Sequence, residues 1–139
     1  MKHMKYLVFT LLFSSIVWSQ DFDTHKWKNR IILITADENH HKFSETQLNL
    51  FINEKEKLIE RKIVIYQCIT NKCIYYNWKQ SPQSVEMDIL IDGFKTVLIG
   101  LDGGVKYKTF EVENTSIFFD LIDSMPMRLQ ELEKNKKND

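Results

Sequence analysis

The chain has 139 residues, 43% of them hydrophobic, and its 19 Lys plus Arg are balanced by 19 Asp plus Glu. That length fits one domain around a single core. The balanced charge argues against nucleic acid as a partner, because a phosphate-binding surface needs a cationic excess.

Residues 1–19 read as a secretory signal peptide. Lys2 and Lys5 form a positive start, Tyr6 to Trp18 an apolar stretch, and Val17 and Ser19 are small residues suited to a cleavage site. Ser14 and Ser15 interrupt the run, which is too short for a transmembrane span, and no Cys marks a lipoprotein junction. This predicts a periplasmic or secreted protein with no membrane span after signal cleavage. The domain then covers residues 20–132, and residues 133–139 form a polar C-terminal tail. The leader holds two lysines and no carboxylate, so the mature chain is slightly negative.

Arg30 to Ala36 (RIILITA) is rich in β-branched residues and predicts the first strand. Asp37 to Phe43 reads as a polar loop. Ser44 to Arg61 reads as one helix, with Ser44 as its cap, Gln47 at the capping-box position and Leu48, Phe51, Ile52 and Ile59 at helical spacing. Lys62 to Ile69 predicts a second strand, parallel to the first across a right-handed crossover. Thr70 to Gln80 reads as an irregular loop, and Pro82 as the start of a short helix from Ser84 to Ile91.

Phe94 to Gly100 is almost continuously apolar from Val97 onward, as a strand buried on both faces should be. Asp102-Gly103-Gly104 is a turn signal. Val105 to Phe110 alternates, with Val105, Tyr107 and Thr109 on one face and Lys106, Lys108 and Phe110 on the other; lysines on one face suit a sheet edge. Asn114, Thr115 or Ser116 can cap a last helix that carries Ile117, Phe118, Leu121, Ile122 and Met125 on one face, and Pro126 should end or kink it. The order β-α-β-(α)-β-β-α predicts an α/β, thioredoxin-like fold with a central mixed sheet and flanking helices.

In a thioredoxin the reactive cysteines follow the first strand and open the next helix, whose N-terminus stabilises a thiolate. Here that loop is Asp37-Glu38-Asn39-His40-His41-Lys42, without Cys, and Lys95-Thr96 stands where a cis-proline would precede the hairpin strand. Thioredoxin catalysis at that edge is therefore not expected. A candidate binding edge remains: His40, His41 and Thr96, with the loop aromatics Tyr75, Tyr76 and Trp78 as a partner surface. The cysteines, Cys68 and Cys73, are an even pair in an exported chain and predict one disulfide. Two readings of the pair stand, a staple across a short turn or a redox-active couple at an unusual position. His40, His41, Cys68 and Cys73 match no zinc spacing, so no metal site is predicted. No Gly-rich phosphate loop or hydrolase elbow is present, and no cofactor is implied. Arg30 and Arg128 suit internal ion pairs, with Asp92, Asp102, Asp120 and Asp123 as possible partners.

LIGLDGGVKYK followed by LIDSMPMR resembles the signature of the DUDES family, called P-DUDES in its prokaryotic form. Trp27-Lys28-Asn29-Arg30 and Glu60-Arg61 fit its motifs before the first and second strands. Leu101 departs from it, standing where a Lys is expected. The motif residues are Trp27, Arg30, Asp102, Gly103, Gly104, Asp123, Met125, Pro126, Met127 and Arg128. The family occurs as a single secreted domain in bacteria and within vertebrate extracellular proteins, including sushi-repeat proteins. The resemblance implies a thioredoxin-like fold of unknown function with no established catalytic residues. The functional expectation is a non-catalytic binding or interaction module whose partner is a protein or extracellular ligand. The alternative is a thiol-disulfide oxidoreductase using Cys68 and Cys73.

Overall fold

A computed structural model describes residues 22–138. The leader expected at residues 1–19 lies outside the described residues. The elements are β1 (Arg30–Ala36), α1 (His41–Ile52), α2 (Lys55–Glu60), β2 (Ile63–Ile69), β3 (Lys72–Tyr76), β4 (Gln83–Glu86), β5 (Phe94–Ile99), β6 (Val105–Thr109), α3 (Thr115–Asp123) and α4 (Pro126–Asn138). Short 3-10 turns at Asp23–His25 and Glu38–His40 precede β1 and α1. The six strands form one mixed sheet in the order β4-β3-β2-β1-β5-β6. Only β1 and β2 run parallel; the other neighbours are antiparallel. This is a mixed α/β architecture compatible with the thioredoxin-like fold, as the strand pattern predicted.

The three central strands β2, β1 and β5 are buried on both faces, as their largely apolar sequences require, while β3, β4 and β6 are more exposed. Alternate residues Ile32, Ile34, Ile65 and Leu98 meet Phe51 and Leu58 from α1 and α2 and Phe118, Phe119 and Ile122 from α3. The opposite set, Ile31, Leu33, Val64, Tyr66 and Val97, is covered by Phe22, Met87 and Ile89. Among the described residues, no α-helix contributes to the cluster on that second face. The stretch from Val85 to Ile91 lies across it instead, with Met87 and Ile89 buried and Asp88 and Leu90 exposed.

Here the structure corrects the expected helix at Ser84–Ile91. Val85, Met87, Ile89 and Ile91 fall at period two, and the chain follows that extended pattern, first as β4 and then without regular pairing. The expected loop at Thr70–Gln80 is likewise corrected: it contains β3 (Lys72–Tyr76), joined to β2 by the two-residue turn Thr70-Asn71. Thr70 holds φ at +54°, a left-handed conformation that glycine usually supplies in such turns. The turn therefore lacked its usual sequence mark.

The expected single helix from Ser44 to Arg61 begins earlier and breaks at Asn53–Glu54. Ser44 is not its cap. It is fully buried within α1, and its hydroxyl accepts a hydrogen bond from Gln67 at 3.0 Å. Gln47 is not a capping-box residue either; its side-chain amide binds the backbone of Glu113. Asn114 caps α3, accepting from the Ser116 N–H at 3.1 Å. The buried face of α3 is Phe118, Phe119 and Ile122, whereas Ile117 is exposed. α3 stops at Asp123, and Pro126 opens α4 as a first helical residue without an amide hydrogen to satisfy.

Candidate functional site

The DUDES-like motif residues gather at one end of the sheet, where β1 begins. Arg30 and Arg128 are each only 1% exposed. Arg128 donates to the Glu60 carboxylate at 2.9 Å, the Glu60 carbonyl at 3.2 Å and Asp123 at 3.2 Å. Arg30 donates to the Arg61 carbonyl at 2.8 Å. Arg61 grips Asp123 through two bonds of 3.0 and 2.8 Å, and its guanidinium lies 4.8 Å above the Phe119 ring. Burial alone would raise the Asp123 pKa, but the bonds from Arg61 and Arg128 outweigh it and hold this carboxyl below its ordinary value. Of the four expected aspartate partners, only Asp123 joins this network; Glu60 and Glu131 supply the rest.

Nearby, Asp102 accepts from Lys106 at 2.8 Å and from the Gly104 N–H at 2.9 Å, and these bonds keep its carboxyl low. Gly103 adopts φ +84°, which the turn requires. The Trp27 N–H donates to the Leu101 carbonyl at 2.7 Å while its ring is exposed. Met125, Pro126 and Met127 form the α3–α4 corner beside this turn. The arrangement ties termini, turn and helix corner to the sheet.

Cys68 and Cys73 are bonded to each other, as their even count predicted. They sit directly opposite on β2 and β3 with Cα atoms 4.0 Å apart. Their exposures are 0% and 1%, because Met87 and Ile89 pack in the same cluster above them.

The candidate binding edge is divided by the fold. Tyr75 lies on the second face, stacked on Tyr66 with centroids 4.6 Å apart and near His25. Tyr76 and Trp78 pack on the helical face, and the Trp78 indole donates to the Ile63 carbonyl at 2.6 Å, at the end where β2 begins. His40 and His41 sit at the opposite end. Thr96 is fully buried between Ile34 and Thr109, and its hydroxyl has no hydrogen-bond partner among the described residues.

At the His40 end, where β1 finishes, the chain builds a cleft of about 570 Å³. Its apolar surface comes from Phe43 on α1, Phe94 at the start of β5, and Phe110 and Val112 after β6. Phe43 is 51% exposed and Phe110 66% exposed. Asp37 braces two of the lining residues: its carboxylate accepts from the His40 ring at 2.5 Å, from the His40 N–H at 3.0 Å and from the Gly93 N–H at 3.0 Å. The Asp37 N–H returns a bond to the Gly93 carbonyl at 3.1 Å. The His40 ring bond is the main reason the Asp37 carboxyl lies below its ordinary value. Gly93 takes φ +69° here, so the bend into β5 depends on it. Gln47 holds the far wall, donating to the Glu113 carbonyl at 3.0 Å and accepting from its N–H at 2.8 Å.

Sequence reasoning missed Phe43, Phe110, Asp92 and Glu111 as parts of a site. A signal existed: Phe110 is an apolar ring just beyond the last residue of β6, in a polar stretch where it has no core to join. His41 turns from the cleft to bond the Glu38 carbonyl at 2.9 Å. Among the described residues, no group of three or more metal-ligating side chains forms.

A family model described as a domain of unknown function, DUF4174, matches residues 21–131. The chain belongs to the DUF4174 family. Neither the search of curated proteins nor that of solved structures finds a match. Within the described residues of this DUF4174 domain, no helix is long and apolar enough to cross a membrane.

Proposed function

We propose that this DUF4174 domain is an exported, non-catalytic binding module of the DUDES type, and that the cleft beside His40 is its binding site. The observation that carries the reading is the pair of exposed rings, Phe43 and Phe110, flanking a cleft of about 570 Å³. That volume suits a small organic ligand. Residues 1–19 support export to the periplasm or beyond, through their leader-like pattern. The non-catalytic part rests on the Asp37–His40 pair occupying the place of a thioredoxin's cysteines, and on the depth at which Cys68 and Cys73 lie. The oxidoreductase alternative would need those sulfurs to meet a substrate, and each is at most 1% exposed.

The test titrates three probes of one shape into the isotopically labelled domain: 2-phenylethylammonium, 2-phenylethanol and phenylacetate. At least one should shift the amides of Phe43, Phe94 and Phe110 together. If none does, the cleft is not a binding site. Turnover of a disulfide substrate that vanishes in Cys68→Ser would instead favour the oxidoreductase.

A further inference from the structure

The ring-lined cleft has an electrostatic sign. Asp92 and Glu111 stand on its rim, both exposed. Among the described residues the ion pairs fall on Asp23, Asp37, Glu54, Glu60, Asp102, Asp123 and Glu131, the Asp37–His40 pair being the one at the cleft, and neither rim carboxylate belongs to any of them. No lysine or arginine lines the cleft among the described residues. Lys95 follows Phe94 in β5, so its side chain leaves on the other face of the sheet, toward the face that Lys108 shares through its pairing with Val97.

One positive feature does point toward the cleft, the N-terminal end of α1. Asp37 already answers it, through the bonds to the His40 N–H and ring. What remains, among the described residues, is two exposed carboxylates outside any ion pair in a cleft with three phenyl rings. Phe43 and Phe94 lie with centroids 6.0 Å apart, and the His40 ring stacks on Phe43 at 6.0 Å. Aromatic faces carry negative potential and attract a cation within about 6 Å of the ring centre. The carboxylates add a longer-ranged attraction of the same sign.

We infer that the cleft takes a small organic cation, an ammonium group on an apolar body. This rests on the cleft being a binding site, and it adds the charge of the ligand. The apolar body would lie against Phe43, Phe94 and Phe110, and the ammonium would sit at the rim between Asp92 and Glu111. A carboxylate of the same shape would meet two like charges.

The three phenylethyl probes separate this inference from the reading beneath it. The ammonium should bind about tenfold tighter than the alcohol, with phenylacetate weakest, and added salt should narrow the gap. In the double variant Asp92→Asn, Glu111→Gln the ammonium should lose most of its advantage over the alcohol, the remainder being the attraction of the rings themselves. Both positions are exposed, so the variant should keep its fold, which its amide spectrum checks. Equal binding of ammonium and alcohol, or tightest binding by phenylacetate, overturns the cation inference and leaves a binding cleft standing. Silence from all three overturns both.

Discussion

Arg30 and Arg128 meet on one carboxylate. The Nη1 atom of Arg30 lies 3.3 Å from Glu131 and that of Arg128 lies 3.4 Å from it. Glu131 on α4 thus joins the first residue of β1 to the helix corner at Pro126. Removing Arg128 would leave Asp123 and the Glu60 carbonyl without this donor beside a buried gap. Breaking a buried pair in this way costs about 3–5 kcal/mol, and the partial exposure of Glu60 and Asp123 points to the lower end. Arg128→Met should therefore lower stability by about 3 kcal/mol, read as a fall in the urea midpoint at unchanged slope. Arg128→Lys keeps the charge but not the fork, and should lose part of this. A loss under about 1 kcal/mol in Arg128→Met would mean the network is ornamental.

Asp123 makes the same network sensitive to acid. Its folded pKa lies below the ordinary 3.8, since the Arg61 and Arg128 bonds outweigh burial. Above 3.8 both folded and unfolded states are ionised and the stabilisation is complete. As the pH falls through and below that value the unfolded chain takes up the proton first, so stability drops until the folded carboxyl also protonates. Asp123→Asn should start from lower stability at pH 7 and show a shallower decline between about pH 5 and pH 2. Thermal midpoints across that range give the comparison, and parallel curves for the two proteins would refute the assignment.

The disulfide should behave as a staple. Its sulfurs are sealed beneath Met87 and Ile89, so reduction of the folded domain must wait for the Val85–Ile91 segment or the hairpin to open. Native protein in millimolar dithiol should keep Cys68 and Cys73 unlabelled, while the same protein in denaturant reduces quickly. The expected reduction potential is below about −300 mV. A value near −200 mV, with fast native exchange, would bring the oxidoreductase reading forward. Cys68→Ser with Cys73→Ser should cost about 2 kcal/mol and leave probe binding at the cleft unchanged.

How much of this was legible follows from where the physics is local. Strands β1, β2 and β5 announce themselves because burial on both faces forces near-continuous apolar runs. The end of α3 was legible because Pro126 cannot donate a backbone hydrogen bond. β3 was hidden because Thr70 takes a conformation that composition does not advertise. The covering segment was hidden because Pro82 suggested a helix, though Met87, Ile89 and Ile91 already alternated. The cleft needed tertiary structure: His40, Phe94 and Phe110 are far apart in sequence and meet only once β5 lies antiparallel beside β1. The split of Tyr75 from Tyr76 follows from the strand itself, since neighbours in a strand face opposite ways.

Gln47 offers the most direct link between folding and the cleft. Its amide closes two hydrogen bonds with the Glu113 backbone, at 3.0 and 2.8 Å, from a fully buried position on α1. Glu113 in turn accepts from Thr109 at 2.9 Å and Tyr107 at 3.1 Å, so the segment carrying Phe110 and Val112 is held at both ends. Gln47→Leu preserves the approximate volume but takes away the partners of a half-buried N–H and carbonyl of Glu113, which should cost about 1–2 kcal/mol. The loss should not be confined to global stability. Amide exchange should quicken first from Phe110 to Glu113, and probes that bind the cleft should weaken severalfold while the Arg128 network keeps its protection. If exchange instead rises evenly across the sheet and binding is untouched, Gln47 is a packing residue only, and the wall of the cleft is held by Thr109 and Tyr107.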